Sequence, residues 1–129
     1  MFTFRVAAAA ALSLAIFGSH PTSAQPAGAA ARTIALFSHG YNPNPIVLAA
    51  GRPVTLTFVN RSGDAHDFTA RKFFASARFV SGTTPDGEIE LKGGQSRSVT
   101  LVPAAGIYSV HCGHFMHKQF GMRGKIVVR

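Results

Sequence analysis

The chain has 129 residues, with 13 Lys and Arg against 5 Asp and Glu, six histidines and a single cysteine. That length makes one domain the default, and one cysteine excludes an internal disulfide framework. The formal charge of +8 suits either simple solubility or steering toward acidic partners and anionic surfaces.

The N-terminus reads as a secretory signal peptide. Arg5 supplies a positive start. Residues 6–17 form an apolar run of 12, and Thr22, Ser23 and Ala24 offer small residues for cleavage before Gln25. The run is shorter than the roughly 20 apolar residues needed to span a bilayer. Removal of residues 1–24 is therefore expected, leaving a periplasmic or secreted chain of charge +7 with no stable membrane insertion. Export argues against nucleic acid as a partner. Residues 25–31 are rich in Pro, Gly and Ala and read as a flexible lead-in. Residues 32–129 read as the folded domain.

From residue 32 onward, turn residues recur every 8 to 12 positions and the runs between them are short. Residues 33–37 form a first expected strand, broken by Asn42-Pro43-Asn44-Pro45, and residues 46–48 a second, ended by Gly51. In residues 54–60, Val54, Leu56 and Phe58 alternate with Thr55 and Thr57, the pattern of a half-buried strand. A turn at residues 61–64 leads to a short strand over 65–70, with His66 and Phe68 on one side. Residues 71–77 suit a helical turn or two, with Phe73, Phe74 and Ala77 on a shared face. Residues 79–86 read as a loop. Further strands follow at 88–91, 96–101, 107–112 and 125–129. About eight strands and one short helical insertion predict an all-β, two-sheet Greek-key sandwich. The phenylalanines at 68, 73, 74 and 79 are its expected core. Tyr108, Val110 and Cys112 share an inward face, and His111 points to the other. His39 and Tyr41 have no ligand-like context.

The chemistry gathers near the C-terminus. Cys112, His111, His114, His117, Met116 and Met122 lie within a dozen residues. A thiol, imidazoles and thioethers suit copper or zinc and not magnesium or calcium, which want oxygen ligands. Four residues separate Cys112 from His117, and four more separate His117 from Met122. That spacing suits a loop that leaves one strand, turns at a metal and enters the last strand. Gly113, Gly121 and Gly124 are expected to provide its tight bends. His66 is the upstream partner. His114, two residues after Cys112, competes with His117 for the second loop position. One thiolate, two imidazoles and a weak axial thioether make a blue-copper site.

These segments resemble the cupredoxins, the small blue-copper family. Residues 54–60 followed by Ala65-His66-Asp67-Phe68 resemble the family's strand and first-histidine segment. Cys112-x4-His117-x4-Met122-Arg123-Gly124 resembles its C-terminal ligand loop, in the longer spacing of plantacyanin-like, auracyanin-like and rusticyanin-like members. The resemblance implies equatorial His66, Cys112 and His117, axial Met122, and one copper ion per chain cycling between Cu(I) and Cu(II). One departure is Asp67, where many members carry Asn. An exported one-electron carrier working with an acidic-faced redox partner is the expected function. The alternative is a copper-handling protein for tolerance or delivery, which the surplus His111, His114 and Met116 favour. A Cys–His nucleophilic enzyme is disfavoured, because no orienting carboxylate lies nearby in sequence. Zinc is disfavoured by the methionine.

Overall fold

The computed structural model describes residues 28–114 and 122–129, so the expected signal peptide, His117 and Met116 lie outside the described residues. Among the described residues there are ten strands: β1 (Ala30–Phe37), β2 (Gly40–Asn42), β3 (Ile46–Leu48), β4 (Val54–Asn60), β5 (His66–Thr69), β6 (Arg78–Ser81), β7 (Glu88–Leu91), β8 (Ser96–Val102), β9 (Gly106–His111) and β10 (Arg123–Val128). One helix, α1 (Arg71–Ser76), and a 3-10 turn at Pro85–Gly87 complete the set. Sheet I has the order β2-β1-β4-β8-β6, and sheet II the order β3-β10-β9-β5-β7. The β1–β4 and β3–β10 pairs are parallel. Parallel neighbours cannot be joined by a tight hairpin, so the chain must cross between the sheets, which is the Greek-key character of the sandwich.

Hydrophobic alternation builds the two layers. Val54, Leu56 and Phe58 of β4 are buried, while Thr55 and Thr57 face outward. The outward hydroxyls pair across the sheet, Thr55 Oγ1 with Thr100 Oγ1 and Thr57 Oγ1 with Ser98 Oγ, both at 2.8 Å. Sheet II answers with Ile46, Leu48, Phe68, Ile89, Leu91, Val110 and Ile126. Each such side chain contributes about 1.5–3 kcal/mol when fully removed from water. Aromatic rings knit the sheets together. Phe58 and Phe68 stand 4.7 Å apart between ring centroids, Tyr41 meets Phe68 edge-on at 5.2 Å, and Phe73 of α1 reaches Tyr108 at 5.4 Å. Phe68, Phe73 and Phe74 are buried as expected, and Phe79 packs against them from the edge.

Two strands escape the sequence pattern. Strand β2 has three residues, too few to display alternation, and follows β1 after only Ser38 and His39. Strand β6 occupies part of the expected 79–86 loop. It edges sheet I, with an irregular register between Phe79 and Ser81. Strand β1 also starts earlier than expected, at Ala30, because residues 30–36 pair in parallel with β4. The helix ends at Ser76, and Ala77 is extended rather than helical.

Candidate metal centre

The site begins at the end of β4. Asn60 is buried, and its amide donates to the carbonyls of Asp64 (2.7 Å) and Leu91 (3.0 Å). Its Oδ1 accepts from the Ser62 N–H and hydroxyl. Asn60 and the Ser62 hydroxyl together hold the turn and deliver the chain into β5 at His66. His66 lies opposite Leu91 and shares the inner face with Phe68, which lies opposite Ile89. Its exposure is 1%.

Strand β9 approaches from the other side. Thr69 pairs with His111, and the chain then turns inward at Cys112, which is fully buried. The Asp67 N–H donates to Cys112 Sγ at 3.5 Å. The Cys112 N–H donates to the Met122 carbonyl at 3.1 Å, and the Met122 side chain is also fully buried. Strand alternation therefore reads correctly, with Tyr108, Val110 and Cys112 turned inward and His111 turned outward. Of the four expected ligands, His66, Cys112 and Met122 are buried, and the Asp67 N–H and the Met122 carbonyl both bond to Cys112. The fourth, His117, lies outside the described residues.

Burial pushes the Cys112 thiol up, and hydrogen bonds from the Asp67 and His114 backbone work against that shift. A dry sulfur with N–H donors aimed at it fits a soft or borderline cation, whose charge favours the thiolate that burial disfavours. The donor set also fits copper. Sulfur and imidazole donors suit both its common oxidation states.

The departure at Asp67 is built into the structure. Its backbone serves the sulfur, while its carboxylate turns to the outer face, where it is 3% exposed. Both oxygens accept from the Gly113 N–H, at 2.8 and 2.9 Å, and Oδ1 also accepts from the Thr69 hydroxyl at 2.6 Å. A Cβ at Gly113 would stand 3.1 Å from Asp67 Oδ2, which is tight. Gly113 and Gly124 are the glycines expected to give tight bends; neither has a positive φ, and both sit where the backbone comes close to a neighbouring side chain. Gly121 lies outside the described residues.

Two features escape the sequence. Tyr41 is buried, and its hydroxyl donates to the Asp67 carbonyl at 2.9 Å, steadying the residue whose N–H meets the sulfur. Burial first, then the neighbouring Cys112 and Asp67, push its phenol well above the ordinary range. Its 26-residue separation from Asp67 left no local signal. The second feature is a carboxylate pair at His114. Its Nε2 stands 2.8 Å from Glu90 Oε1 and 3.8 Å from Asp67 Oδ2. The expectation of no carboxylate near the histidines is thereby corrected, because β7 and β5 bring both acids in from elsewhere in the chain. An Asp67 oxygen, Cys112 Sγ and a His114 ring nitrogen all lie within 4.8 Å of one another. His114 is therefore a real competitor for the metal.

A two-sheet sandwich with parallel β1–β4 and β3–β10 pairs and a fully buried cysteine just past β9 has the cupredoxin-like architecture. The cupredoxin-like domain family matches residues 7–128, and the chain belongs to it. Among solved structures, the dithionite-reduced auracyanin of the photosynthetic bacterium Roseiflexus castenholzii is similar at 22% identity and a TM-score of 0.59. That match covers 79% of this chain and 99% of the auracyanin. Auracyanin B is similar at 24% identity and a TM-score of 0.58, covering 78% and 89%. The McoA multicopper oxidase of Aquifex aeolicus shares the fold over 86% of this chain but only 32% of its own, at 15% identity and a TM-score of 0.61. The curated protein sequences give no match. Among the described residues, no helix is long and apolar enough to cross a membrane.

Proposed function

We propose that the chain is an exported type 1 copper protein that carries one electron between redox partners. His66, Cys112 and His117 are the equatorial ligands, Met122 is axial, and one copper ion is held per chain. The observation that carries this is the pair of bonds around Cys112. Asp67 N–H meets its sulfur, and its own N–H meets the Met122 carbonyl, so both loop ends and β5 converge on one dry thiol. Copper supplies the Cu(I)/Cu(II) couple when bound. The protein supplies a soft anionic ligand, N–H groups that hold that ligand's charge, and walls that keep water out. Tyr41, Asp67 and Gly113 fix the backbone around the sulfur, which limits rearrangement when charge changes at the site.

Similarity in fold to the auracyanins supports the carrier role, and the net positive charge suits a partner with an acidic docking face. The signal pattern in residues 1–24 supports a periplasmic or secreted location. A second reading, copper handling, is favoured by the extra imidazoles at His111 and His114 beside the site. A delivery protein releases copper to a moderate chelator, whereas a carrier retains it in both oxidation states.

The test is the visible spectrum of the purified chain, without residues 1–24, after addition of Cu(II). An intense thiolate-to-copper charge-transfer band, absent in Cys112→Ser, is expected. Weak copper binding with no such band sinks the proposal. His117→Ala is expected to abolish the band and His114→Ala to preserve it.

A further inference from the structure

The five acidic residues are Asp64, Asp67, Asp86, Glu88 and Glu90, so none lies on β3, β9, β10 or the turn from β3 to β4. Cations gather there instead. Strand alternation turns Lys125 and Val127 of β10 outward, and Arg129 keeps the same parity just past the strand end. The Arg129 N–H donates to the Leu48 carbonyl at 3.1 Å, and its carbonyl accepts from the Ala50 N–H at 3.3 Å, which sets it beside the turn that carries Arg52. An apolar row runs between these cations. Val127 pairs with Ile107 on one side and Val47 on the other, and Ile107 and Val47 are 73% and 42% exposed. Ile107, Val127 and Lys125 line one groove of about 530 Å³, and Val47, Arg32 and Arg52 line a neighbouring one of about 240 Å³.

We infer that this face docks on an anionic phospholipid surface, with Val47, Ile107 and Val127 at the headgroup boundary and Arg52, Lys125 and Arg129 against lipid phosphates. Two observations choose a bilayer over an acidic protein. The first is the chemistry of the face. Exposed apolar side chains flanked by exposed cations match an interface that offers hydrocarbon and negative phosphate together. The second is where the chain enters. Ala30 pairs with Val54, and its N–H donates to the Pro53 carbonyl at 3.2 Å, next to Arg52. The apolar run of residues 6–17 therefore joins the fold beside this face. The residues between that run and Ala30 span at most about 40 Å when fully extended, so a bilayer holding the run lies within reach of the patch. An acidic protein accounts for the cations but not for that shared location. The docking is adsorption without insertion, and it persists once residues 1–24 are removed. It takes from the proposed function only the exported location. Ile107 precedes Cys112 by about 17 Å of extended strand, which leaves the thiol end open to other partners.

The experiment is co-sedimentation of the chain, without residues 1–24, with vesicles of equal parts phosphatidylglycerol and phosphatidylcholine, and with phosphatidylcholine alone. Binding to the anionic vesicles only, weakening as salt rises, is expected. Lys125→Ala and Arg129→Ala should each weaken it by about fivefold, the scale of one cation at a charged membrane surface. Ile107→Ser should weaken it by at least about threefold, through loss of apolar contact. Arg61→Ala combined with Lys92→Ala removes the same charge as the Lys125 and Arg129 pair, but beyond the far ends of β4 and β7, and should change binding by less than about twofold. All these side chains are exposed, so thermal unfolding of each variant should match the parent. The inference is overturned by no binding to the anionic vesicles, by equal binding to phosphatidylcholine, or by equal losses in the two charge pairs. It is also overturned if vesicles fail to bind while polyglutamate binds through Lys125 and Arg129, which assigns the face to an acidic protein. The copper spectrum of the parent chain is a separate measurement, so failure of either proposal leaves the other standing.

Discussion

Strands β4 and β5 each give a phenylalanine to the same aromatic cluster, Phe58 and Phe68, both fully buried and 4.7 Å apart. Their outer faces are quite different. In β4 the burial alternates residue by residue, and Thr55 and Thr57 sit half-covered, bonded to hydroxyls of the neighbouring strand. In β5 all four residues are buried, including His66, Asp67 and Thr69. Apolar packing explains the first pattern completely. It cannot explain the second, because burying a carboxylate costs several kcal/mol unless its oxygens are satisfied. The Cys112–Gly113 segment covers the outer face of β5 and satisfies them. A strand that stops alternating marks where the fold has been bent to serve a site.

Substitutions on the two strands sharpen this contrast. Phe58→Ala and Phe68→Ala are expected to cost the same large amount, about 3–5 kcal/mol each, measured by denaturant unfolding. Equal losses show that the inner faces are equivalent. On the outer faces the strands should part. Asp67→Ala leaves the Gly113 N–H and the Thr69 hydroxyl without their buried acceptor, at a cost of about 2–3 kcal/mol, while Asp67→Asn retains an oxygen and costs less. Tyr41→Phe removes the bond to the Asp67 carbonyl and should cost about 1 kcal/mol. Thr57→Val should change stability by no more than about 0.5 kcal/mol. If Thr57→Val proved as costly as Asp67→Ala, the distinction between the faces would collapse.

Tyr41 also sets an alkaline limit. Its folded pKa is raised above the ordinary value of 10.0, so its contribution is complete below that pH. Above pH 10 the unfolded phenol loses its proton and the folded one does not, so stability falls as pH rises. Ultraviolet difference spectroscopy should therefore record Tyr41 ionising together with the loss of tertiary structure. In Tyr41→Phe that coupled component should vanish.

The sandwich was legible because β4, β8 and β9 carry enough alternating residues to announce their faces, and Cys112 inherited its inward direction from Tyr108 and Val110. The proposed ligand set rests on a different kind of signal, since cysteine, histidine and methionine at loop spacing have few joint uses. What stayed hidden depends on pairing between distant segments. Tyr41 meets Asp67 only because β2 folds back along β1 and the sheets then stack. Glu90 meets His114 only because β7 lies beside β5, and nothing near residue 114 encodes that. The Asp67 side chain stood beside His66 in plain view, yet its bond to Gly113 depends on where β9 ends.

The bond from the Cys112 N–H to the Met122 carbonyl has a consequence for how this molecule changes over time. It fastens the two ends of the nine intervening residues together, beside strands β9 and β10, which are already paired from Arg123–His111 to Val128–Gly106. A segment whose ends are held by the scaffold behaves as an exchangeable cassette. Doubling its length costs only about 0.6 kcal/mol of closure entropy. Insertions, deletions and new donors can therefore be sampled between Cys112 and Met122 while the core is left intact. Change between the two anchors leaves the anchors themselves in place.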